Sequence, residues 1–168
     1  MLAWKQKHAG TAALMARIRH IAFTSDHPGR TAEFYKRALG LTEIGRHGLS
    51  HDPEAEAPRP CAVMLSDGEI NIAIIKPAVD QTGVGLAHEG FHHFGVVVDD
   101  VEAWTRALTE AGAQQLTDES GIPPGAHWEI KFRGPEGVVF DISPSPWPGA
   151  APVPAESARL ANVGPEAG

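Results

Sequence analysis

Ionisable residues sit inside stretches that otherwise read as buried strands, and two of them recur in register. Gly90-Phe91-His92-His93-Phe94-Gly95-Val96-Val97-Val98-Asp99-Asp100 is an apolar run ending in an acidic turn, with adjacent histidines near its start. Arg19-His20-Ile21-Ala22-Phe23-Thr24-Ser25-Asp26 aligns with it without a gap, so that His20 falls on His93 and Asp26 on Asp99. Near the end of the chain Asp141 interrupts an apolar run, and Glu129 and Lys131 alternate with Trp128, Ile130 and Phe132. A carboxylate in an apolar strand is not buried without partners. Imidazole binds divalent ions, moves protons or simply completes a buried hydrogen bond, and the residues alone leave these open. Glu129 and Lys131 share one face of their strand. They suit proton abstraction and recognition of an anionic group, or else a solvated face.

The elements that must position these residues come in the same order twice. In the first unit, Ile18 to Thr24 reads as a strand, and Asp26-His27-Pro28-Gly29 is turn chemistry. Thr31 to Leu39 has helical spacing at Ala32, Phe34, Tyr35, Ala38 and Leu39, with Gly40 as terminator. Leu41 to Ile44 is a short strand. Arg46 to Pro60, with His47 and His51, reads as a long mobile loop. Cys61 to Leu65 and Ile70 to Ile75 flank the turn Ser66-Asp67-Gly68. After a polar, Gly-containing connector, the second unit repeats the order. Phe91 to Val98 is a strand. Val101 to Ala111 is a helix with Val101, Trp104, Ala107, Leu108 and Ala111 on one face. Gln114 to Thr117 is a short strand, Ser120 to Gly125 a loop, Trp128 to Phe132 a strand, Gly134 to Gly137 a turn, and Val138 to Ser143 the last strand.

The chain has 168 residues, enough for one domain with a substantial core, and two units of about 60 residues would share it. Its net charge of −7 and lack of a basic stripe argue against nucleic acid as a partner. Cys61 is the only cysteine, which excludes an internal disulfide and a Cys-based zinc site and fits a reducing cytoplasm. No apolar run approaches the roughly 20 residues of a membrane span. The short run Ala12 to Ala16 is a poor signal-peptide core, so residues 1–16 are expected to be an N-terminal extension. Residues 144–168, rich in Pro, Ala and Gly, are expected to be a flexible tail.

Two tandem βαβββ units that each open on a histidine-bearing strand resemble the vicinal oxygen chelate superfamily, which includes glyoxalase I, methylmalonyl-CoA epimerase, extradiol dioxygenases and bleomycin-binding proteins. The resemblance is carried by Arg19-His20-Ile21-Ala22, by Ala32 to Leu41, by Phe91-His92-His93-Phe94 with Val97 to Val101, and by Arg133 to Ile142. It implies an α+β fold in which the two units (17–77 and 91–143, joined by the connector 78–90) pair into an open, barrel-like mixed sheet around a central cavity. It also implies a homodimer.

Carried over by position, the resemblance makes His20, His93 and Asp141 the metal ligands. His93 rather than His92 is chosen because it matches His20 and because strand neighbours point to opposite faces; His92 would then point away. The family pattern expects a further ligand where Ala73 stands, with Asn71 on the same face two residues earlier. Two imidazoles and a carboxylate suit Fe(II), Mn, Co, Ni or Zn, with positions left open for substrate. The first expectation is therefore a metal-dependent lyase or isomerase of the glyoxalase/epimerase type. It would act on a small oxygenated substrate through an enolate-like intermediate, with Glu129 as base and Lys131 beside it. An extradiol-type Fe(II) dioxygenase is the second expectation, and a non-catalytic ligand-binding or resistance protein the third.

Overall fold

The computed structural model describes residues 15–117 and 129–146, the side chain of Glu136 apart. Most of the expected N-terminal extension and tail, the loop expected over 120–125, and Trp128 lie outside the described residues. The element order is β1 (Ala16–Thr24), α1 (Pro28–Leu39), β2 (Thr42–His47), β3 (Cys61–Ser66), β4 (Asn71–Lys76), β5 (Gly90–Val98), α2 (Val101–Glu110), β6 (Gln114–Gln115), β7 (Ile130–Arg133) and β8 (Val139–Ser143). A single turn of 3-10 helix at Pro135–Gly137 joins the last two strands.

The strands form one open mixed sheet in the order β2-β3-β4-β1-β5-β8-β7-β6. That order is a palindrome of the two units, each contributing four adjacent strands. The opening strands β1 and β5 meet antiparallel at the centre, and each lies parallel to the last strand of its own unit, β4 or β8. The four strands expected to carry the site are thus neighbours, and the α+β fold with its unclosed sheet is as the sequence implies.

Each helix covers its own half of the sheet. Under α1 lie Ala32, Val63, Leu65 and Ile74, with Tyr35, Leu41, Leu49 and Ile72 packed around them. Under α2 lie Val98, Ile130, Phe132 and Ile142, joined by Val96, Val101, Trp104, Leu108 and Phe140. In the second half the core positions are even-numbered along β5, β7 and β8, so the odd-numbered His93, Lys131 and Asp141 project from the opposite face. Local signals set the helix ends. Pro28 starts α1, and Gly40 (φ 72°) closes it, its N–H donating to the Lys36 carbonyl at 3.0 Å. Asp100 caps α2 by accepting from the Ala103 N–H at 2.9 Å.

Three expectations need correction. Phe34 and Leu39 are 54% and 64% exposed, because the sheet meets only the side of α1 that carries Ala32 and Tyr35. The strand expected to end at Ile44 runs to His47, since Arg46 and His47 pair with Val63 and Ala62 of β3. The loop after it is docked. Arg46 donates to the Ser50 carbonyl at 2.8 Å, Leu49 reaches the first core cluster, Ala57 is buried, and Arg30 pairs with Glu54.

Phe132, fully buried at the centre of the second cluster, should be the more sensitive of two phenylalanines. Phe132→Ala is expected to lower the unfolding free energy by about 3–5 kcal/mol in urea titrations, and Phe34→Ala by no more than ~0.5 kcal/mol.

Candidate metal centre

Strand register gathers the ionisable residues into one row across the sheet. His20 of β1 pairs with Asn71 of β4 on one side and Gly95 of β5 on the other. Gly95 pairs with Asp141 of β8, and Asp141 with Lys131 of β7. His93 stands two residues from Gly95 on the same face, and Glu129 two residues from Lys131. The row is buried: Asp141 is 1% exposed, His93 4%, His20 6% and Lys131 7%.

The donor atoms converge. His20 Nε2 lies 3.2 Å from His93 Nε2, while Asp141 Oδ2 lies 3.0 Å from His93 Nε2 and 3.7 Å from His20 Nε2. Glu129 joins them, one ligand atom from each of the four residues falling within 4.8 Å of the others. A divalent ion bound at about 2.0–2.2 Å by each donor sets donor–donor separations of roughly 3.0–3.6 Å. The triangle of His20, His93 and Asp141 matches that closely. A further acceptor stands beside it: Asn71 is 1% exposed, and its Oδ1 finds no hydrogen-bond partner among the described residues. Asn71, His20, Gly95, Glu129 and Ser143 line a common small cleft. The residues therefore fit a divalent cation, with Asn71 rather than Ala73 as the polar group offered by β4.

Gly95 makes the arrangement possible. A Cβ there would stand 1.8 Å from His20 Cε1 and 2.5 Å from Nε2, so the imidazole occupies the space that any other residue would fill. His92 does not stand apart from the cluster as expected. It is buried, and its Nδ1 lies 2.6 Å from His93 Nδ1. If His93 offers its Nε2 lone pair to a cation, its Nδ1 must carry the proton and donate to His92, which thereby fixes tautomer and ring orientation. The adjacent pair in the sequence was the available signal for this role. Lys131 donates to Asp141 Oδ2 at 2.8 Å and to Glu129 Oε2 at 3.4 Å, and its Nζ is 3.4 Å from His93 Nε2.

Burial sets the protonation states. It lowers the His20 pKa to about 4 against the pull of Asp141 and Glu129, and lowers His93 to about 3 with help from the Lys131 ammonium. Burial together with His93 lowers His92 to about 4. Burial and the Glu129 carboxylate raise Asp141 to about 6, opposed by Lys131 and His20. At neutral pH the imidazoles are uncharged, the form that binds metal.

Residues 17–142 match the model of the Glyoxalase/Bleomycin resistance protein/Dioxygenase superfamily. The chain belongs to this superfamily. It is 28% identical over 136 residues to a probable chloroplastic lactoylglutathione lyase of Arabidopsis thaliana, a match that covers 79% of this chain but only 37% of the relative. Among solved structures it resembles a hypothetical protein of Bacillus halodurans C-125 (TM-score 0.60, 20% identity, 79% of this chain and 96% of the other). It also resembles methylmalonyl-CoA epimerase from Mycobacterium tuberculosis (TM-score 0.57, 15% identity, 77% and 88%). Membership fixes the scaffold; the superfamily itself spans several functions. Among the described residues, no helix is long and apolar enough to cross a membrane.

Two predictions follow from this geometry. Gly95→Ala should destabilise the fold by about 1–3 kcal/mol through overpacking against His20. In a His20→Ala background most of that cost should vanish, and an additive double-mutant cycle would contradict the contact. The second concerns acid. In chelator-treated protein, the unfolded chain takes up protons at its histidines near pH 6.5, while folded His20, His92 and His93 do so only at about 4, 4 and 3. The unfolded state holds more protons in that window, so stability falls as pH drops from 6.5 toward 4. Asp141 acts in the opposite sense between 3.8 and about 6, one carboxyl against three imidazoles. Urea midpoints should therefore decrease steadily on acidification from pH 6.5, and a flat profile would rule out three buried neutral histidines.

Proposed function

We propose that this protein is a divalent-metal-dependent lyase or isomerase of the glyoxalase/epimerase type, acting on a small substrate with two neighbouring oxygens. The observation that carries this reading is the convergence of His20, His93 and Asp141 on one point, with the Glu129 carboxylate beside them. The resemblance to a lactoylglutathione lyase and to epimerase structures supports it. When bound, the ion would supply Lewis-acid polarisation of the substrate oxygens.

The chain's own residues account for the proton transfer. Glu129 is half-buried at the mouth of β7, and Lys131 two residues on holds it by a hydrogen bond. In this reading Glu129 takes a proton from the carbon next to the polarised carbonyl. It then returns that proton from the same side to the neighbouring carbon; inversion at the first carbon would take its proton from a second acid on the opposite face. A dioxygenase is less well supported: Tyr35, the only tyrosine, packs into the first core cluster and not against the metal donors. The same reading includes the homodimer implied by the family and a cytoplasmic location, the latter supported by the buried free Cys61.

Metal analysis of the purified protein should find one divalent ion per chain, lost in His93→Ala. Deuterium exchange from D2O at the carbon next to a carbonyl, tested on small hydroxy- and oxo-thioesters, should then fall by about 100-fold or more in Glu129→Gln. Metal content should be retained in that variant. Loss of the ion from Glu129→Gln would make Glu129 a ligand instead of the base, and a metal-free wild type would sink the enzyme reading.

A further inference from the structure

The proton-transfer scheme uses only the contact of Lys131 with Glu129 and leaves its shorter bond to Asp141 unexplained. Lys131 is 7% exposed, and its ammonium donates at 2.8 Å to Asp141 Oδ2, the carboxylate oxygen 3.0 Å from His93 Nε2. It also lies 3.4 Å from His93 Nε2 itself and 3.4 Å from Glu129 Oε2. Lys131 thus addresses three of the four residues that converge on the metal position. The row holds two carboxylates and two neutral imidazoles, and a buried pair of carboxylates is costly without a cation.

We propose that the Lys131 ammonium is a built-in counter-cation, seated in the ligand cluster when no divalent ion is bound and leaving Asp141 when one enters. The inference rests on the metal-dependent reading above. An ion held at about 2.1 Å by Asp141 Oδ2 would stand no more than about 5 Å from an ammonium still bonded to the same oxygen. Repulsion between a divalent and a monovalent cation at that separation, among side chains this deeply buried, is worth far more than a factor of ten in affinity. The side chain relieves it by swinging out on its flexible stem. Metal affinity is then set by the exchange of one cation for the other, and Lys131 is the residue that weakens it. The released ammonium stands at the edge of the site, where it can meet an anionic group of the substrate.

The test is a Co2+ titration of the chelator-treated full chain, followed by absorption and by Zn2+ competition, in wild type, Lys131→Met and Lys131→Gln. The glutamine variant keeps a hydrogen-bond donor for Asp141 and decides the matter if the methionine variant fails to fold. Both folded variants are expected to bind one Co2+ per chain at least tenfold more tightly than wild type. In wild type, acetylation of Lys131 by acetic anhydride, read by mass spectrometry, should rise severalfold on addition of Zn2+. Equal or weaker binding in the variants, with wild type still binding, would overturn the counter-cation and leave the metal site standing. No binding in any of the three proteins would remove both.

Discussion

The contact between His20 and the bare backbone of Gly95 sets the geometry of this protein's centre. β1 and β5 cross there as the opening strands of the two units, and the register puts an imidazole over a residue without a side chain. Had both positions carried side chains, the ring would have been pushed out of the row and away from His93. Because the space is empty, His20 reaches across to within 3.2 Å of its repeat partner and 3.7 Å of Asp141. The two units therefore meet in a shared set of donors and not only in a shared sheet.

The same alternation separates fold from chemistry. Even-numbered residues of the second half lie under α2, while odd-numbered ones turn to the other face, so each strand contributes to a core and to the site at once. Trp104 and Phe132 can pack without involving Asp141 or Lys131, their neighbours in space or sequence. The cost is a set of charged and polar groups that must satisfy one another, since water is largely excluded. They do so through a continuous chain from His92 through His93 to Asp141, Lys131 and Glu129.

Period-two alternation and the internal repeat made much of this readable from the sequence. They place His20 and His93 at equivalent points, and they put Glu129 and Lys131 on the face opposite Ile130 and Phe132. What they could not supply is lateral register. That His20 lies between Asn71 and Gly95, and that Asp141 lies between Gly95 and Lys131, depends on pairings between residues far apart in the chain. For the same reason the sequence pointed to Ala73 as the β4 position of interest, whereas Asn71 is the residue beside His20. The helix α1 shows another limit. Phe34 and Leu39 fit an apolar periodicity, yet the sheet beneath α1 covers only part of its circumference.

His92 shows how a local rule can hold while its consequence fails. Neighbouring strand residues do begin on opposite faces, but an imidazole is long enough for its Nδ1 to return to the ring beside it. The register of β5 shifts relative to β1 between His93 and Phe91, at the point where the pair sits. A bulge of this kind rotates side chains away from strict alternation. Orientation of His93 is thereby fixed from its Nδ1 side, leaving Nε2 toward His20, Asp141 and Lys131. If His93 presents its Nε2 lone pair, His92 is the partner that takes the hydrogen bond from Nδ1. The doubled His is thus a pair with divided roles, and its two members have to be adjacent in the chain for the short Nδ1 contact to form.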